Sequence, residues 1–213
     1  MDCMYNTLVI IGSDEQVKEV REFLKGNDSE GNEIHIDFNK IIPTPEEIRD
    51  TMNFPTHISI GETILLGYHE NGVDAFEDIE KEFSSMDEKA QKEAIEIGKK
   101  TLSCLLKYDS RNWNDWSWDN WGTGWNAFKQ QLKGTDTICF TTAWNDVLPL
   151  MKKLSEMFPD IVFLYAFMSC CYIIPEVETY LIKSGMKIEL TEAIKEKFQF
   201  DVVVVKDEFE LLF

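Results

Sequence analysis

The sequence is organised around one tryptophan-rich stretch: Trp113-Asn114-Asp115-Trp116-Ser117-Trp118-Asp119-Asn120-Trp121-Gly122-Thr123-Gly124-Trp125-Asn126. Five of the chain's six tryptophans lie in this tryptophan stretch, and Trp144 follows shortly after it. A tryptophan side chain buries a large apolar area and usually finds a partner for its indole N–H. Five indoles so close together cannot all face water. The stretch is therefore predicted to line a core, a pocket or an interface.

The segments on either side predict a strand–helix–strand pattern that occurs twice. Residues 5–11 are apolar and β-branched, as in a buried strand. Ser13 to Gln16 forms a capping box that begins the first helix. The predicted strands are 6–11, 35–42, 136–142 and 161–167, and the predicted helices are 14–25 and 147–158. We expect all four strands in one sheet, both helices on one face of it, and strands 6–11 and 161–167 not both at its edges.

This pattern predicts an α+β protein with a ferredoxin-like antiparallel sheet and helices on one face. A single domain over residues 1–213 is expected, with the ferredoxin-like core at about 5–43 and 111–167. Residues 44–110 are predicted to be a mostly helical insertion, and residues 168–213 a C-terminal extension. Two more capping boxes are predicted at Thr44 and Ser85. Residues 58–66 are compatible with either a strand or a short helix. The C-terminal extension is predicted to contain helix 176–183, strand 187–190, helix 191–197 and strand 200–205.

Four blocks of sequence together carry a resemblance to a known family. They are Phe38-Asn39-Lys40-Ile41-Ile42-Pro43-Thr44-Pro45, the run from Asp115 to Asn126, Phe140-Thr141-Thr142-Ala143-Trp144, and Leu154-Ser155 with Phe158-Pro159. In this order they resemble the YubB ferredoxin-like family of phages, conjugative plasmids and integrated elements, over roughly residues 5–166. The chain differs from that family at Gly124, where members commonly have Lys, and after Tyr165. The resemblance implies a fold and a mobile-element setting, and no reaction.

The net charge of −18 is the strongest compositional signal. It disfavours double-stranded nucleic acid as a ligand, because a phosphate backbone needs a basic surface. Two interpretations stay open: a soluble, self-repelling surface, or an acidic surface that mimics nucleic acid or docks on a basic partner. The five cysteines are odd in number and irregularly spaced, which favours reduced thiols. With neither a signal peptide nor a membrane-spanning run, the sequence predicts a cytoplasmic protein.

No sequence motif points to catalysis. Walker, G-x-G-x-x-G, G-x-S-x-G and H-E-x-x-H patterns are absent from the sequence. The run 122–124 favours a tight turn over a phosphate loop, because no Lys adjoins it. His35, His57 and His69 are isolated, so we expect no metal, no cofactor and no catalytic residue. Cys170-Cys171 favours inert buried thiols, with redox chemistry as the alternative.

Ten residues are candidates for contact with a ligand or partner: Trp113, Asp115, Trp116, Trp118, Asn120, Trp121, Thr123, Trp125, Asn126 and Trp144. Core packing, a protein-binding surface and a platform that stacks on bases are three interpretations of this set. We expect Trp121 and Trp125 to be largely buried, because they flank the turn. At least one of Trp113, Trp116 and Trp118 is expected to stay partly exposed.

The function predicted from these features is that of a mobile-element accessory protein without catalytic activity. It would bind an unidentified protein partner, encoded by the host or by the element. A small-molecule or nucleotide-binding protein, with a weak hydrolase as one form of it, is the first alternative. Single-stranded nucleic-acid binding is the second.

Overall fold

The computed structural model describes residues 2–51, 55–170 and 177–190. The chain divides into two compact units, which we call the sheet unit (residues 1–43 and 118–213) and the helical unit (residues 44–117). The predicted helix 191–197 and strand 200–205 lie outside the described residues. The single-domain organisation stays a prediction.

The elements follow in chain order: β1 (Cys3–Ile11), α1 (Asp14–Leu24), β2 (Gly26–Asn27), β3 (Glu33–Ile34), α2 (Phe38–Ile41), α3 (Glu46–Arg49), α4 (Pro55–Leu66), α5 (Val73–Ser85), α6 (Glu88–Tyr108), α7 (Trp113–Trp121), β4 (Phe128–Lys133), β5 (Thr137–Ala143), α8 (Leu148–Met157), β6 (Val162–Ser169), β7 (Glu178–Lys183) and β8 (Met186–Glu189).

The sheet unit is built on a six-stranded antiparallel sheet with strand order β4-β5-β1-β6-β7-β8. Strands β4, β5, β1 and β6, with helices α1 and α8, reproduce the β-α-β-β-α-β arrangement of a ferredoxin-like fold. The predicted strands 6–11, 136–142 and 161–167 correspond to β1, β5 and β6. Strands β1 and β6 lie inside the sheet and pair with each other, as their apolar sequences require. The predicted fold class is confirmed.

Helices α1 and α8 lie on the same face of the sheet, as predicted. The ring of Phe23 on α1 meets the ring of Phe158, which follows α8, edge to face at a centroid distance of 5.3 Å. Helix α2 contacts both helices. The capping box at Ser13 is also confirmed: its hydroxyl accepts from the Gln16 N–H, and the Gln16 side chain accepts from the Ser13 N–H.

The predicted strand 35–42 is wrong, and β4 takes its place as the second strand of the fold. Residues 33–34 form a two-residue strand against β2, and Asp37 begins helix α2 by accepting from the Asn39 N–H. The backbone N–H groups of His35 and Ile36 both donate to the side-chain oxygen of Gln130, at 2.8 Å each. A side chain therefore satisfies these donors where a neighbouring strand was expected.

Three local predictions are also corrected. Thr44 is not a helix cap, because α3 has Pro45 at its N-cap without a side-chain hydrogen bond. Ser85 belongs to α5 and bonds back to the Glu82 carbonyl oxygen, so Asp87 caps α6 instead. The segment predicted as helix 176–183 contains β7, whose apolar residues pair with the inner strand β6.

The helical unit contains α3 to α6 and the first residues of α7. Helices α4 and α6 pack closely through two glycines. A Cβ on Gly61 would overlap the carbonyl oxygen of Ala94, and one on Gly98 would overlap the backbone of Gly61. The residue range 58–66, for which strand and helix stayed open, is helical. Among the described helices, none combines the length and the apolar character that crossing a membrane needs.

Candidate functional site

Trp121, at the end of α7, belongs to the core of the sheet unit. Its side chain is only 4% exposed. The indole N–H donates to the Ile42 carbonyl oxygen at 2.9 Å, and the ring meets Phe38 edge to face at 5.6 Å. Both the apolar ring and the polar N–H are thus satisfied inside the protein. The predicted burial of Trp121 is confirmed.

The turn after Trp121 is tightly fixed. Gly122 has φ of 83°, and a Cβ added there would lie 3.0 Å from the Asp146 carbonyl oxygen. Thr123 is fully buried, and its hydroxyl donates to the Ala143 carbonyl oxygen at 2.7 Å. Glycine permits this φ and this close approach. The turn therefore fixes the end of the tryptophan stretch that belongs to the sheet unit against the end of β5.

Beyond the turn, Trp118, Trp125 and Trp144 form a connected cluster, which we call the tryptophan surface. The Trp144 ring lies 5.6 Å from that of Trp118 and 5.0 Å from that of Trp125, centroid to centroid. Trp125 is 38% exposed and Trp144 is 39% exposed, while Trp118 is half-buried. The predicted burial of Trp125 is wrong, because this ring packs on exposed Trp144 and not in the core. The predicted partial exposure within the group Trp113, Trp116 and Trp118 is confirmed by Trp113 and Trp118.

Trp144 is held in an unusual backbone conformation. Its φ is 64°, and the Asn145 N–H donates to the Ala143 carbonyl oxygen at 2.8 Å, which closes a γ-turn around it. A γ-turn with positive φ is rare and strained, and a bulky side chain seldom adopts it. The backbone N–H of Trp144 donates to the Asp2 carbonyl oxygen at 3.1 Å. Such strain costs of order 1–3 kcal/mol, and it persists only where the surrounding structure imposes it.

A buried hydrogen-bond network fixes the segment that follows Trp144. The Tyr165 hydroxyl donates to the Asn6 side-chain oxygen at 2.6 Å and accepts from the Val147 N–H at 2.9 Å. The Asn6 amide donates to the Thr142 hydroxyl at 3.0 Å. Burial raises the pKa of Tyr165 well above its usual value, so the hydroxyl stays protonated and keeps donating. The tryptophan surface therefore rests on a rigid support.

The segments that carry the tryptophan surface contain acids and no basic residue. Asp119 adjoins Trp118, and Asp146 lies two residues after Trp144, whereas neither 112–128 nor 134–151 contains Lys or Arg. Burial raises the pKa of Asp146, and the nearby Glu178 carboxylate raises it further, although a hydrogen bond from the Leu148 N–H lowers it. The segments that carry the three rings therefore supply negative charge and no cation.

The other candidates in the sheet unit have structural contacts. Asn126 accepts from the Phe38 N–H at 3.0 Å and donates to the Asp37 carboxylate at 2.8 Å, so it anchors the start of α2. Thr123 is fully buried, as described above. Asn120 is partly exposed. The cluster thus brings together Trp118, Trp125 and Trp144 but not these polar side chains.

Three candidates belong to the helical unit, because the division falls after Ser117. Trp113 is partly exposed, and its backbone N–H donates to the Thr51 hydroxyl at 2.8 Å. Asp115 accepts from the Asn112 amide at 2.8 Å. Trp116 is buried. A binding role for any of the ten candidates stays a prediction.

The sequence interpretation missed Asp2 and Asn145, which hold Trp144 in place through their backbone groups. No local pattern reveals Asp2, because its contact joins the chain start to the end of β5, whereas the Asn145 bond to Ala143 lies within the turn itself. Within the described residues, no group of three His, Cys, Asp or Glu side chains is placed to hold a metal ion.

Residues 120–199 match a family model described as the ferredoxin-like domain in Api92-like protein. This part of the chain resembles that domain. The description names a fold, in agreement with the sheet observed here, and it names no activity. The chain is also similar to the crystal structure of protein api92 from Yersinia pseudotuberculosis, with 10% sequence identity, 89% of this chain and 96% of that chain covered, and a TM-score of 0.40. Comparison with curated proteins gives no match, and the YubB resemblance stays a prediction.

Proposed function

We propose that the protein is a non-catalytic binding protein whose tryptophan surface holds a segment of a protein partner. The observation that carries this proposal is the exposure of Trp125 and Trp144, at 38% and 39%, while both rings stay in contact as one cluster. Tryptophan is enriched among the residues that dominate binding energy at protein interfaces. Exposed apolar clusters with polar surroundings are typical of such sites.

The strained backbone at Trp144 supports the same proposal. A non-glycine residue with φ of 64° in a γ-turn lowers stability whatever its side chain contacts. Glycine in its place would relieve the strain, yet the chain has tryptophan there. Local strain of this kind is concentrated at binding and catalytic sites.

The charge supports a cationic partner segment, rich in Lys or Arg. A cation over the face of an indole is attracted by the ring quadrupole, and tryptophan is the strongest aromatic partner for it. Asp119 and Asp146, close in sequence to Trp118 and Trp144, and the net charge of −18 would steer a basic segment toward the surface. The same charge repels a phosphate backbone, which counts against the nucleic-acid alternative. An accessory role in a mobile element, implied by the YubB resemblance, belongs to the proposal.

Selection from a random peptide display library tests the proposal. The baits are the wild-type protein, the Trp125→Ala/Trp144→Ala double variant and the control variant Met157→Ala, which removes an apolar side chain of similar exposure at 41%. Wild type and control are expected to enrich the same Lys- and Arg-rich peptides, and the double variant is expected to bind them about 30-fold or more weakly. Binding should also weaken with added salt.

Three results would count against the proposal. Enrichment of acidic or uncharged peptides would contradict the proposal that the partner segment is cationic. Equal binding by the double variant would place the interaction elsewhere on the protein. Tight binding of a single-stranded oligonucleotide in a parallel titration, lost in the double variant, would favour the nucleic-acid alternative instead.

A further inference from the structure

Two cysteines face each other at the ends of the two central strands. The β1–β6 ladder pairs Met4 with Ser169, so the next position along it sets Cys3 opposite Cys170. The Cys170 N–H donates to the Cys3 carbonyl oxygen at 3.0 Å, which continues the ladder. The two Sγ atoms are 2.9 Å apart, and the Cys3 N–H also lies 3.1 Å from the Cys170 Sγ.

This pair differs from the other described thiols in its accessibility. Cys104 and Cys139 are buried, and burial raises the pKa of the Cys104 thiol. Cys3 and Cys170 are both partly exposed, so the predicted burial of Cys170 is wrong. Reactive thiols need access for the attacking reagent, so the cross-strand pair is the more reactive one.

The backbone geometry fits a disulfide between these two residues. A disulfide needs Cα atoms about 4.4–6.8 Å apart and an S–S bond of about 2.05 Å. Because the Cys170 N–H donates to the Cys3 carbonyl oxygen, the two residues form a hydrogen-bonded pair, whose Cα atoms lie about 5.5 Å apart. From the present 2.9 Å, bond formation needs the sulfurs to approach by about 0.9 Å, which side-chain rotation supplies while the strands stay in place.

We propose that Cys3 and Cys170 are a redox modification site that low-molecular-weight disulfides, such as oxidised glutathione, convert into an intramolecular disulfide. One thiol loses its proton, and its sulfur attacks a sulfur of the reagent and releases one reduced thiol. The second sulfur then attacks the mixed disulfide, forms the Cys3–Cys170 bond and releases the other reduced thiol. The protein loses two electrons and two protons, and the reagent gains them.

The site lies beside the support of the tryptophan surface. Cys3 pairs with Ala143 across the ladder, and the preceding residue, Asp2, accepts the Trp144 N–H through its carbonyl oxygen. The disulfide therefore ties β6 to the strand end that holds Trp144. Because it links residues far apart in sequence, it removes much conformational freedom from the unfolded chain. The proposal is independent of which partner the surface binds.

The experiment incubates the full chain with oxidised glutathione, denatures it, blocks remaining thiols and maps the peptides by mass spectrometry. We expect a Cys3–Cys170 cross-linked peptide, a protein mass lower by two hydrogen atoms, and a melting temperature about 5–10 °C higher, reversed by reductant. Cys171→Ser is the matched control and should keep all three results. Cys170→Ser should lose all three.

Several outcomes would overturn the proposal. They are full alkylation of both cysteines after oxidation, a glutathione adduct that never closes, and a cross-link that uses Cys171 in place of Cys170. The peptide map of the wild-type protein decides among these even if Cys170→Ser fails to fold. A cross-linked protein with an unchanged melting temperature would show that the bond does not constrain the fold, and would refute the stabilising part.

Discussion

Trp121 and Trp125 lie four residues apart, on either side of the same turn, and their environments are opposite. Trp121 is 4% exposed and donates its indole N–H to a backbone carbonyl, whereas Trp125 is 38% exposed and packs on another exposed indole. The residue type is the same, so the difference comes from the backbone between them. One tryptophan-rich stretch therefore supplies both a core element and a surface cluster.

The turn explains why Trp121 and Trp125, which flank it in the sequence, are not equally buried. Gly122 adopts positive φ, and Thr123 is fixed to the end of β5. Beyond them, the ring of Trp125 packs on that of Trp144. The two tryptophans that flank the turn indicate from sequence alone a core or a binding surface. The backbone conformation of the turn determines which ring is buried and which is exposed.

The largest effect is expected for Trp121→Ala. Removal of a buried aromatic ring costs about 3–5 kcal/mol, and here the Ile42 carbonyl oxygen also loses its donor. Urea unfolding should show the loss, with Trp125→Ala as the control that costs less than about 1 kcal/mol. Equal losses for the two variants would remove the distinction between core and surface.

The next effect concerns the turn itself. Gly122→Ala should destabilise the protein by about 1–3 kcal/mol, because Ala is strained at φ of 83° and its Cβ would press on the Asp146 carbonyl oxygen. Gly134→Ala is the matched control, since Gly134 has φ of 62° but its nearest neighbouring atom is 3.8 Å away from the added Cβ. A smaller loss for Gly122→Ala than for Gly134→Ala in thermal melts would contradict the close approach.

Strain at Trp144 predicts an unusual order of stability. Trp144→Gly should be more stable than Trp144→Ala by about 1 kcal/mol, because glycine adopts a φ of 64° freely. In most helical or extended positions an alanine variant is more stable than a glycine variant. The reverse order in chemical denaturation would mean that Trp144 is not held in the strained conformation.

The smallest effect is a pH dependence from Asp146. Since burial raises its pKa in the folded protein, the folded state holds the proton at pH values where the unfolded chain has lost it. The contribution of this group to stability is therefore greatest at low pH and declines as pH rises from the ordinary carboxyl value to the raised one. Asp146→Asn should lack this decline in unfolding measured across a pH series, while the exposed Asp119→Asn should retain it.

The sequence predicted the central strands and both covering helices because their signals are local. Strand β1 is mostly apolar and β-branched, β6 is an almost continuous apolar run, and Ser13 forms the expected capping box. Strand β4 was missed because Phe128 to Lys133 is mostly polar, with a bulge at its start. Residues 35–42 alternate like a strand, but the Gln130 side chain accepts from the N–H groups of His35 and Ile36, and only the folded chain brings that side chain near.

The candidate site was predictable in its residue types and not in its arrangement. Tryptophan density pointed to residues 113–126, and Trp144 was a candidate as well. The contact of Trp144 with Trp118 and Trp125 depends on where β5 ends in the folded protein. The positive φ of Trp144 depends on the hydrogen bond from its N–H to the Asp2 carbonyl oxygen and on the one from the Asn145 N–H to the Ala143 carbonyl oxygen. The Cys3–Cys170 pair likewise depends on strand register, which no local signal in this sequence specifies.

Exchange of the six indole N–H protons with solvent, followed one by one by NMR and assigned with the single variants, tests the difference between core and surface most directly. Trp121 should exchange many times more slowly than Trp125 and Trp144, because its N–H is buried and bonded to the Ile42 carbonyl oxygen at 2.9 Å. The Trp125 and Trp144 signals should disappear first. Protection of Trp125 and Trp144 equal to that of Trp121 would contradict the tryptophan surface, and with it the proposed binding function.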